Sequence, residues 1–314
     1  MDTKDIELAP LVVFAYNRAD VLFDALESLK KNKLAEQTNL FIFLDGPKSE
    51  SDVDKVQKVL EVANDCDGFK TIQIIRSEKN KGLAKSVISG VSKIFEKYDS
   101  VIVVEDDLYV APCFLEYMNL MLNTYKKDNR IFQVSGFGTK IDSSINYDED
   151  IYMNHRAQCW SWGTWKDRWI SIDWEVKDYN NLLKDKKKQR AFNKGGSDLF
   201  GMLKDYMEHR NNSWFIRFAY SMFQQKKFTI CPIKSLVRND GFGNNATHCK
   251  NTYNRYNIDF NNNQDYKFRI PKIIEWNKHL CMNAIRFWSI RYRIYGKIML
   301  LKQKALNISA SNKS

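Results

Sequence analysis

The chain has 314 residues, of which 44% are hydrophobic and 28% charged, and its formal net charge is +11. These values exclude a disordered or fibrous chain and fit one large α/β domain, or a domain with an appendage. No stretch of eighteen apolar residues occurs and the first residues lack the pattern of a signal peptide, so we expect a cytoplasmic location.

Strands and helices alternate through the first 125 residues. Apolar runs predict strands at residues 11–16, 40–44, 71–75 and 101–104, and helical patterns occupy residues 21–30, 53–63, about 80–98 and 114–125. Strands separated by helices of this length indicate βαβ units, right-handed crossovers and a parallel sheet. In the second half we predict strands near 132–135 and 228–231, and helices at 178–193, 198–209 and 214–224.

Three consecutive acids follow the fourth predicted strand. Residues 101–104 are apolar and lead directly into Glu105, Asp106 and Asp107. Such a run is typical of a buried parallel strand, and open α/β sheets bind ligands at the carboxyl ends of these strands. Three adjacent carboxylates repel one another unless a cation or a hydrogen-bonded ligand compensates. The run therefore indicates a divalent metal and a polyol or phosphate ligand, whereas an acidic turn with one helix-capping aspartate explains only one carboxylate.

Four tryptophans lie within ten residues, at positions 160, 162, 165 and 169. Trp162, Trp165 and Trp169 have helical spacing, which predicts a stripe that faces the core. In the alternative interpretation, Trp160 and Trp162 precede the helix and form the wall of a sugar pocket, since aromatic faces are common platforms for sugar rings.

Several motifs, taken in order, resemble a known family. They are Val-Phe-Ala-Tyr-Asn-Arg at 13–18, Asp45 after the second strand, Val-Val-Glu-Asp-Asp-Leu-Tyr-Val-Ala-Pro at 103–112, the Trp-rich segment at 160–169, and Arg-Asn-Asp-Gly-Phe-Gly-Asn-Asn-Ala-Thr-His at 238–248. Over about residues 8–250 the chain resembles GT-A nucleotide-sugar glycosyltransferases of the family-2 type and, locally, N-acetylglucosaminyltransferase I. The resemblance implies an α/β, GT-A (Rossmann-like) fold: a mostly parallel sheet flanked by helices, with a C-terminal helical extension.

The same resemblance implies an activity and a metal site. The expected enzyme is a hexosyl- or N-acetylhexosaminyl-transferase that uses a nucleotide diphosphate sugar, UDP-linked by expectation. Asp107 is the expected ligand of Mn²⁺ or Mg²⁺, cations that prefer oxygen ligands and neutralise the departing diphosphate. Asp106 is expected to contact the ribose, and Glu105 either contacts donor sugar hydroxyls or is a structural acceptor. His248 lies in a glycine-containing loop that closes on the donor, where it reaches the metal or the diphosphate.

Three further residues match nucleotide-binding positions of the resembled family. Arg18 reaches the diphosphate or the base, and Asp45 accepts a hydrogen bond from uracil N3–H; for both, the alternative is a surface ion or a turn residue. Lys85 follows Asn80 and Gly82 at the start of the third helix, where a cation and the helix N-terminus face the nucleotide.

The catalytic base is not singled out by the sequence. Relatives often carry Trp-Asp where this chain has Trp214 and Phe215, so stereochemistry stays open. Arg217 is assigned to the leaving phosphate or to an anionic acceptor. The remaining candidates for the base are Asp198, Asp205 and Asp240. Because the expected aspartate is replaced, the alternative function is a catalytically silent nucleotide-sugar-binding scaffold of a membrane-associated assembly.

The C-terminal region is basic and predicts one amphipathic helix. Between Lys272 and Lys304 there are eight Lys or Arg residues and one acid, while the remainder is only mildly basic, which does not indicate a nucleic-acid groove. An apolar stripe consists of Cys281, Ile285, Trp288, Tyr292, Tyr295 and Met299. A neighbouring basic stripe consists of Arg286, Arg293, Lys297 and Lys304. Such a helix either lies on a membrane surface or docks its apolar stripe on the catalytic domain.

These patterns predict a domain organisation and a set of partners. We expect a glycosyltransferase domain at 1–250, with a nucleotide-binding half at about 8–110 and an acceptor half at about 111–250, and a basic, aromatic helical extension at 251–314. The expected partners are the nucleotide sugar, a glycan or lipid-linked acceptor of surface polysaccharide or glycolipid assembly, and an anionic membrane contacted through residues 272–304.

Overall fold

The computed structural model of the protein describes the backbone of residues 7–239 and 258–311, and the side chains of these residues as far as Lys302. The strands in these ranges are β1 (Leu11–Ala15), β2 (Asn39–Leu44), β3 (Thr71–Arg76), β4 (Ser100–Glu105), β5 (Leu108–Val110), β6 (Ile131–Ser135), β7 (Ile151–Asn154), β8 (Trp162–Trp165), β9 (Phe228–Pro232) and β10 (Val237–Asn239). The α-helices are α1 (Ala19–Lys30), α2 (Glu50–Asn64), α3 (Leu83–Ile94), α4 (Phe114–Tyr125), α5 (Lys166–Ile170), α6 (Tyr179–Lys184), α7 (Lys186–Phe192), α8 (Leu199–Met207), α9 (Trp214–Gln224), α10 (Lys278–Arg286) and α11 (Ile290–Ser311).

Eight strands form one sheet in the order β3-β2-β1-β4-β8-β6-β9-β7, and β5 pairs with β10 separately. The pairs β1–β2, β1–β4, β2–β3 and β6–β9 are parallel, and the pairs β4–β8, β6–β8 and β7–β9 are antiparallel. The predicted α/β class, a mostly parallel sheet flanked by helices with helices at the C-terminus, is therefore confirmed.

The order of the first four strands creates a crevice between β1 and β4. The chain builds β2 and β3 on one side of β1 and then returns to place β4 on its other side. Ligands of open α/β sheets bind at such a switch point, outside the carboxyl ends of the strands. Phe14 lies opposite Glu105 in the register, and the N–H of Asp106 donates to the carbonyl oxygen of Phe14 at 3.1 Å. The acidic run therefore begins at the edge where β1 ends.

Alternate residues of the central strands contribute to two hydrophobic cores. On β1, Leu11 and Val13 pack in the core that includes side chains of α1, α2 and α4, whereas Val12 and Phe14 pack in the core that includes α3 and α9. The second core is strongly aromatic: the Trp162 ring lies 5.1 Å from that of Trp214 and stacks on a neighbouring tryptophan at 5.8 Å, centre to centre. The sheet thus separates a mainly aliphatic core from one that is rich in aromatic rings.

The Trp-rich segment is a strand where the spacing predicted a helix. Trp162 and Trp165 bound β8, which lies antiparallel between β4 and β6, and α5 begins only at Lys166. Since side chains alternate along a strand, residues three apart face opposite sides of the sheet. Trp165 accordingly joins the aliphatic core, and Trp162 joins Trp169 in the aromatic core. The three side chains are core residues as predicted, but they do not form one stripe.

Two predicted helices are each divided in the structure. The helix expected at 178–193 becomes α6 and α7, because the Asp185 side chain accepts a hydrogen bond from the Lys188 N–H at 2.8 Å and so caps a new helix. The predicted C-terminal helix becomes α10 and α11, joined through the buried Phe287. On α10, Leu280 and Ala284 pack against Tyr152 of β7. None of the helices described is long and apolar enough to span a bilayer.

Candidate functional site

A cleft of about 360 Å³ opens at the carboxyl ends of β1, β2 and β4. It is lined by residues 14–18 at the end of β1, by Asp45 after β2, by Gly82 at the start of α3, and by Glu105 and Asp106 at the end of β4. These contributions follow directly from the strand order, because three neighbouring parallel strands end at the same edge of the sheet. Sequence motifs far apart in the chain therefore meet in one cavity.

Arg18 lies between two carboxylates of the acidic run. Its Nη2 is 2.5 Å from Asp106 Oδ1 and 3.2 Å from Asp107 Oδ2. Burial raises the pKa of Asp106 to about 6 although Arg18 opposes the shift, and burial together with repulsion by Asp107 and Asp106 raises the pKa of Glu105 to about 8. The positive charge of Arg18 therefore does not balance the negative charge of three carboxylates, and a further cation at this site would be stabilised by them.

The atoms of the acidic run fit a divalent cation. Asp107 Oδ1 is buried, and no described residue forms a hydrogen bond with it. Buried polar atoms are normally paired, and carboxylate oxygens are the ligands that Mg²⁺ and Mn²⁺ prefer. Within residues 7–239 and 258–302, no group of three or more His, Cys, Asp or Glu side chains has the geometry of a complete metal site. A cation held by Asp107 would accordingly complete its shell with substrate oxygens and water.

Asp45 organises the entrance to α3. Its carboxylate oxygens accept hydrogen bonds from the backbone N–H groups of Gly46 at 3.0 Å, Lys81 at 2.8 Å and Gly82 at 2.8 Å. Asn80 closes the same loop by donating from Nδ2 to the carbonyl oxygen of Gly46 at 2.9 Å. Most of the hydrogen-bonding capacity of Asp45 is thus already used in placing the N-terminus of α3 beside the cleft. The contact with uracil that the resemblance implies stays a prediction.

Two predicted donor-binding cations do not line the cleft. Lys85 is exposed on α3 and is not part of the cavity wall. Arg217 is buried in the second half of the chain, where it donates to the carbonyl oxygen of Ser213 at 3.0 Å and lies 4.5 Å from the ring centre of Tyr206. These contacts account for the burial of Arg217 by packing around α9. The structure therefore corrects its assignment to the nucleotide.

The candidates for the catalytic base are either paired or outside the described residues. Asp198 forms a two-point ion pair with Arg156, and Asp205 pairs with Arg210 on the surface. Asp240 and the predicted metal or diphosphate contact His248 lie outside the described residues. Neither Asp198 nor Asp205 lines the cleft described above.

A second cavity of about 330 Å³ was not predicted from the sequence, apart from Trp160 as a possible wall residue. It is lined by Phe137, Arg156, Gln158, Cys159, Trp160, Asp198, Met202, Phe215, Trp288 and Arg293. Five separate segments contribute these side chains, and no spacing along the sequence connects them. The one signal available was the unusual density of aromatic residues.

A strand order with a crevice between β1 and β4, an acidic run at that crevice and an adjoining helix N-terminus define an α/β fold of the GT-A type. The chain belongs to the GNT-I family, whose family model matches residues 2–192. Among curated proteins, no sequence matches the chain significantly.

Three solved structures show a distant likeness to the chain. A mannosyltransferase, PcManGT from Pyrobaculum calidifontis in complex with GDP-Man and Mn²⁺, is 14% identical over 42% of this chain and 39% of its own, with a TM-score of 0.29. S. aureus TarS, residues 1–349, is 11% identical over 74% of this chain and 60% of its own, with a TM-score of 0.43. A cytidylyltransferase from Leptospira borgpetersenii is 13% identical over 57% and 74%, with a TM-score of 0.34. The chain thus spans less than two thirds of the length of the first two of these structures.

Proposed function

We propose that the protein transfers a sugar from a UDP-linked donor to a glycan or lipid-linked acceptor, with Mn²⁺ or Mg²⁺, in surface polysaccharide or glycolipid assembly. The observation that carries this proposal is the meeting of Arg18, Asp106 and Asp107 at the crevice between β1 and β4. Membership of the GNT-I family supports glycosyl transfer in general. The identities of the donor, the acceptor and the metal are proposed in addition.

The residues of the cleft suit a nucleotide diphosphate. Asp107 would hold the cation, which when bound neutralises negative charge on the departing diphosphate. Asp106, fixed by Arg18 at 2.5 Å, presents a carboxylate to the ribose hydroxyls. Asp45 accepts from the N–H groups of Lys81 and Gly82, which precede α3, and from none in its first turn. The N–H groups of that first turn, together with the helix dipole, favour a phosphate there.

Calorimetric titration with UDP and GDP, with and without Mn²⁺, tests the donor site. We expect UDP to bind at least tenfold more tightly with Mn²⁺ than without, and Asp107→Asn to lose this metal dependence while its thermal unfolding is unchanged. Asp205→Asn is the matched control, because Asp205 is an exposed aspartate outside the cleft. Equal metal dependence in the native protein and in Asp107→Asn would overturn the metal assignment.

A second candidate function is the silent scaffold, and the observation that favours it is Phe215. This side chain occupies the place of the expected aspartate and is buried among aromatic rings, with Trp214 at 6.2 Å centre to centre. Single-turnover measurement with radiolabelled UDP-sugars separates the two functions. Hydrolysis or transfer of bound donor supports the enzyme, and tight binding with neither reaction supports the scaffold.

We further propose peripheral contact with the inner, anionic face of the cell membrane through α11. The apolar side chains that face solvent are Ile290, Ile294, Ile298 and Leu301, each between 45% and 67% exposed. At 100° per residue they fall within an arc of about 80° on the helix. Arg291 and Lys302 follow one edge of this arc and Lys297 the other, and all three are exposed. An aliphatic stripe with basic flanks is complementary to an anionic lipid surface.

The residues of this stripe differ from the predicted ones. Trp288 is half-buried over Arg156, at 3.9 Å from ring centre to guanidinium carbon, and Tyr292 packs on the Phe287 ring at 5.0 Å, centre to centre. Part of the predicted aromatic stripe therefore docks on the protein, while Tyr295 is exposed. The sequence left two alternatives open, docking on the catalytic domain and contact with a membrane. Docking applies to the face with Trp288 and Tyr292, and membrane contact is proposed for the face with Ile294 and Ile298.

Vesicle sedimentation tests the membrane contact. We expect the protein to bind phosphatidylglycerol vesicles, and the double variant Ile294→Ser, Ile298→Ser to bind at least tenfold more weakly, because an inserted isoleucine contributes roughly 1.5–3 kcal/mol. Ile170→Ser is the control, since Ile170 is 70% exposed on another surface. Unchanged binding of the double variant, or no binding of the native protein, would exclude this surface as the contact.

A further inference from the structure

The second cavity lies on the other side of β4 from the cleft. In the sheet, β4 lies between β1 and β8. The cleft lies on the β1 side of β4, and on the β8 side Trp162 pairs with Val103. The wall residue Cys159 lies just before Trp162 in the chain, so this wall of the cavity leads into the sheet beside the last residues of β4. The cavity and the cleft therefore approach the acidic run from opposite sides.

Charge among the described residues of the second cavity is not balanced. The Arg156 side chain is 3% exposed, and its two terminal nitrogens donate to the two carboxylate oxygens of Asp198 at 2.8 Å each. This pair is neutral as a unit. Arg293 of α11 also lines the cavity, and no described carboxylate pairs with it. One positive charge is thus left over in a partly enclosed space.

The remaining wall has the character of a sugar site. Trp160 is half-buried and packs edge-on against Phe137, with ring centres 5.0 Å apart. The Trp288 ring is held by Arg156, so its position is fixed by the same ion pair. Arg156 Nε is buried and has no hydrogen-bond partner among the described residues. Aromatic faces with a few polar groups are typical of pockets that bind a sugar ring.

We propose that the second cavity binds the acceptor, and that this acceptor is a glycoside carrying an anionic group whose charge pairs with Arg293. The sugar ring lies against Trp160, and Asp198, fixed by Arg156, accepts a hydrogen bond from an acceptor hydroxyl. The anionic group is a carboxylate or a phosphate ester, since either forms a charge-assisted hydrogen bond with a guanidinium. The inference rests on the proposed function, because an acceptor site is needed only if the protein transfers the sugar of its donor.

Binding of matched probes tests the inference. The probes are 4-nitrophenyl β-glucuronide, 4-nitrophenyl β-glucoside and glucose 1-phosphate, titrated into the full-length protein in the presence of saturating UDP and Mn²⁺. We expect the glucuronide or the phosphate ester to bind about tenfold more tightly than the glucoside, and the stronger of the two identifies the anionic group. Arg293→Gln should remove this tenfold preference, and Arg291→Gln, a change on the exposed face of the same helix, should leave it intact.

The controls separate this inference from the donor proposal. UDP affinity should be the same in the native protein, Arg293→Gln and Arg291→Gln, since Arg293 does not line the cleft. Equal binding of charged and neutral probes, an equal effect of both arginine variants, or binding of the probes only when UDP is left out would each overturn the inference. All three outcomes leave the titration of UDP with Mn²⁺, and with it the donor site, unaffected.

Discussion

The cleft and the second cavity are built in different ways. Every wall of the cleft follows the end of a parallel strand or the start of α3, so its residues lie beside strong local patterns. The second cavity combines side chains from the loop after β6, from the loop before β8, from the start of α8, from α9, and from the residues that join α10 to the first turn of α11. A site at strand ends is placed by topology, whereas a site between distant segments depends on how those segments pack.

The largest expected effect concerns the aromatic core that supports the second cavity. Trp162→Ala should lower the free energy of unfolding by about 3–5 kcal/mol, because it leaves a large void among Trp169, Trp214 and Phe218. Denaturant titration measures the change. Trp276→Ala is the control, since Trp276 is 43% exposed, and it should cost far less. Similar losses in both variants would contradict the described core.

The next effect should be on activity with little change in stability. Asp107→Ala should reduce transfer at least about 10²–10³-fold, because it removes the expected metal ligand and the charge stabilisation that depends on it. Stability should stay the same or rise slightly, since one of three repelling carboxylates is lost. Asp106→Asn should be milder if Asp106 contacts only the ribose. Initial rates with a UDP-sugar and thermal unfolding distinguish these outcomes, and a larger defect in Asp106→Asn would reverse the two roles.

A smaller effect is expected where the cleft depends on a loop. Asp45→Ala leaves three backbone N–H groups without their acceptor, so we expect a loss of about 1–3 kcal/mol in stability. Nucleotide affinity should fall by roughly tenfold, because the N-terminus of α3 loses its position. Asp54→Ala, an exposed aspartate of α2, serves as control in both measurements. A change in affinity with no change in stability would show that Asp45 acts on the ligand alone.

The smallest expected effect is on stability and comes from the backbone conformation of Gly82, in the loop that Asp45 holds. An added Cβ at Gly82 or at Gly201 meets no atom within 4 Å, but only Gly82 has a positive φ, of +74°. Gly82→Ala should therefore destabilise by about 1–2 kcal/mol. Gly201→Ala, within α8, should stabilise by about 0.5–1 kcal/mol. Thermal unfolding of both variants measures the difference, and equal signs would mean that the loop relaxes out of this conformation.

Most of the first half could be predicted because its signals are local. The strand β4 and the three acids after it are consecutive in the sequence, and parallel pairing alone brings Glu105 level with Phe14. The helix predicted for residues 162–165 was wrong. Tryptophan spacings of three and four are compatible with a helix, but pairing with β4 on one side and β6 on the other favours a strand. The spacing of apolar residues within a segment does not reveal which strands will pair with it.

The sequence by itself determined the α/β class and the position of the acidic run directly after a buried strand, since each depends on residues adjacent in the chain. Which strands lie side by side, and so the crevice between β1 and β4, was decided by the tertiary structure. Only the tertiary structure decided that Arg217 packs beside Tyr206, that Asp198 is paired with Arg156, and that α11 presents Ile294 to solvent. The physical reason is that local patterns restrict which face of an element is apolar or charged. Which partner each face contacts depends on packing and charge complementarity between separate segments of the chain.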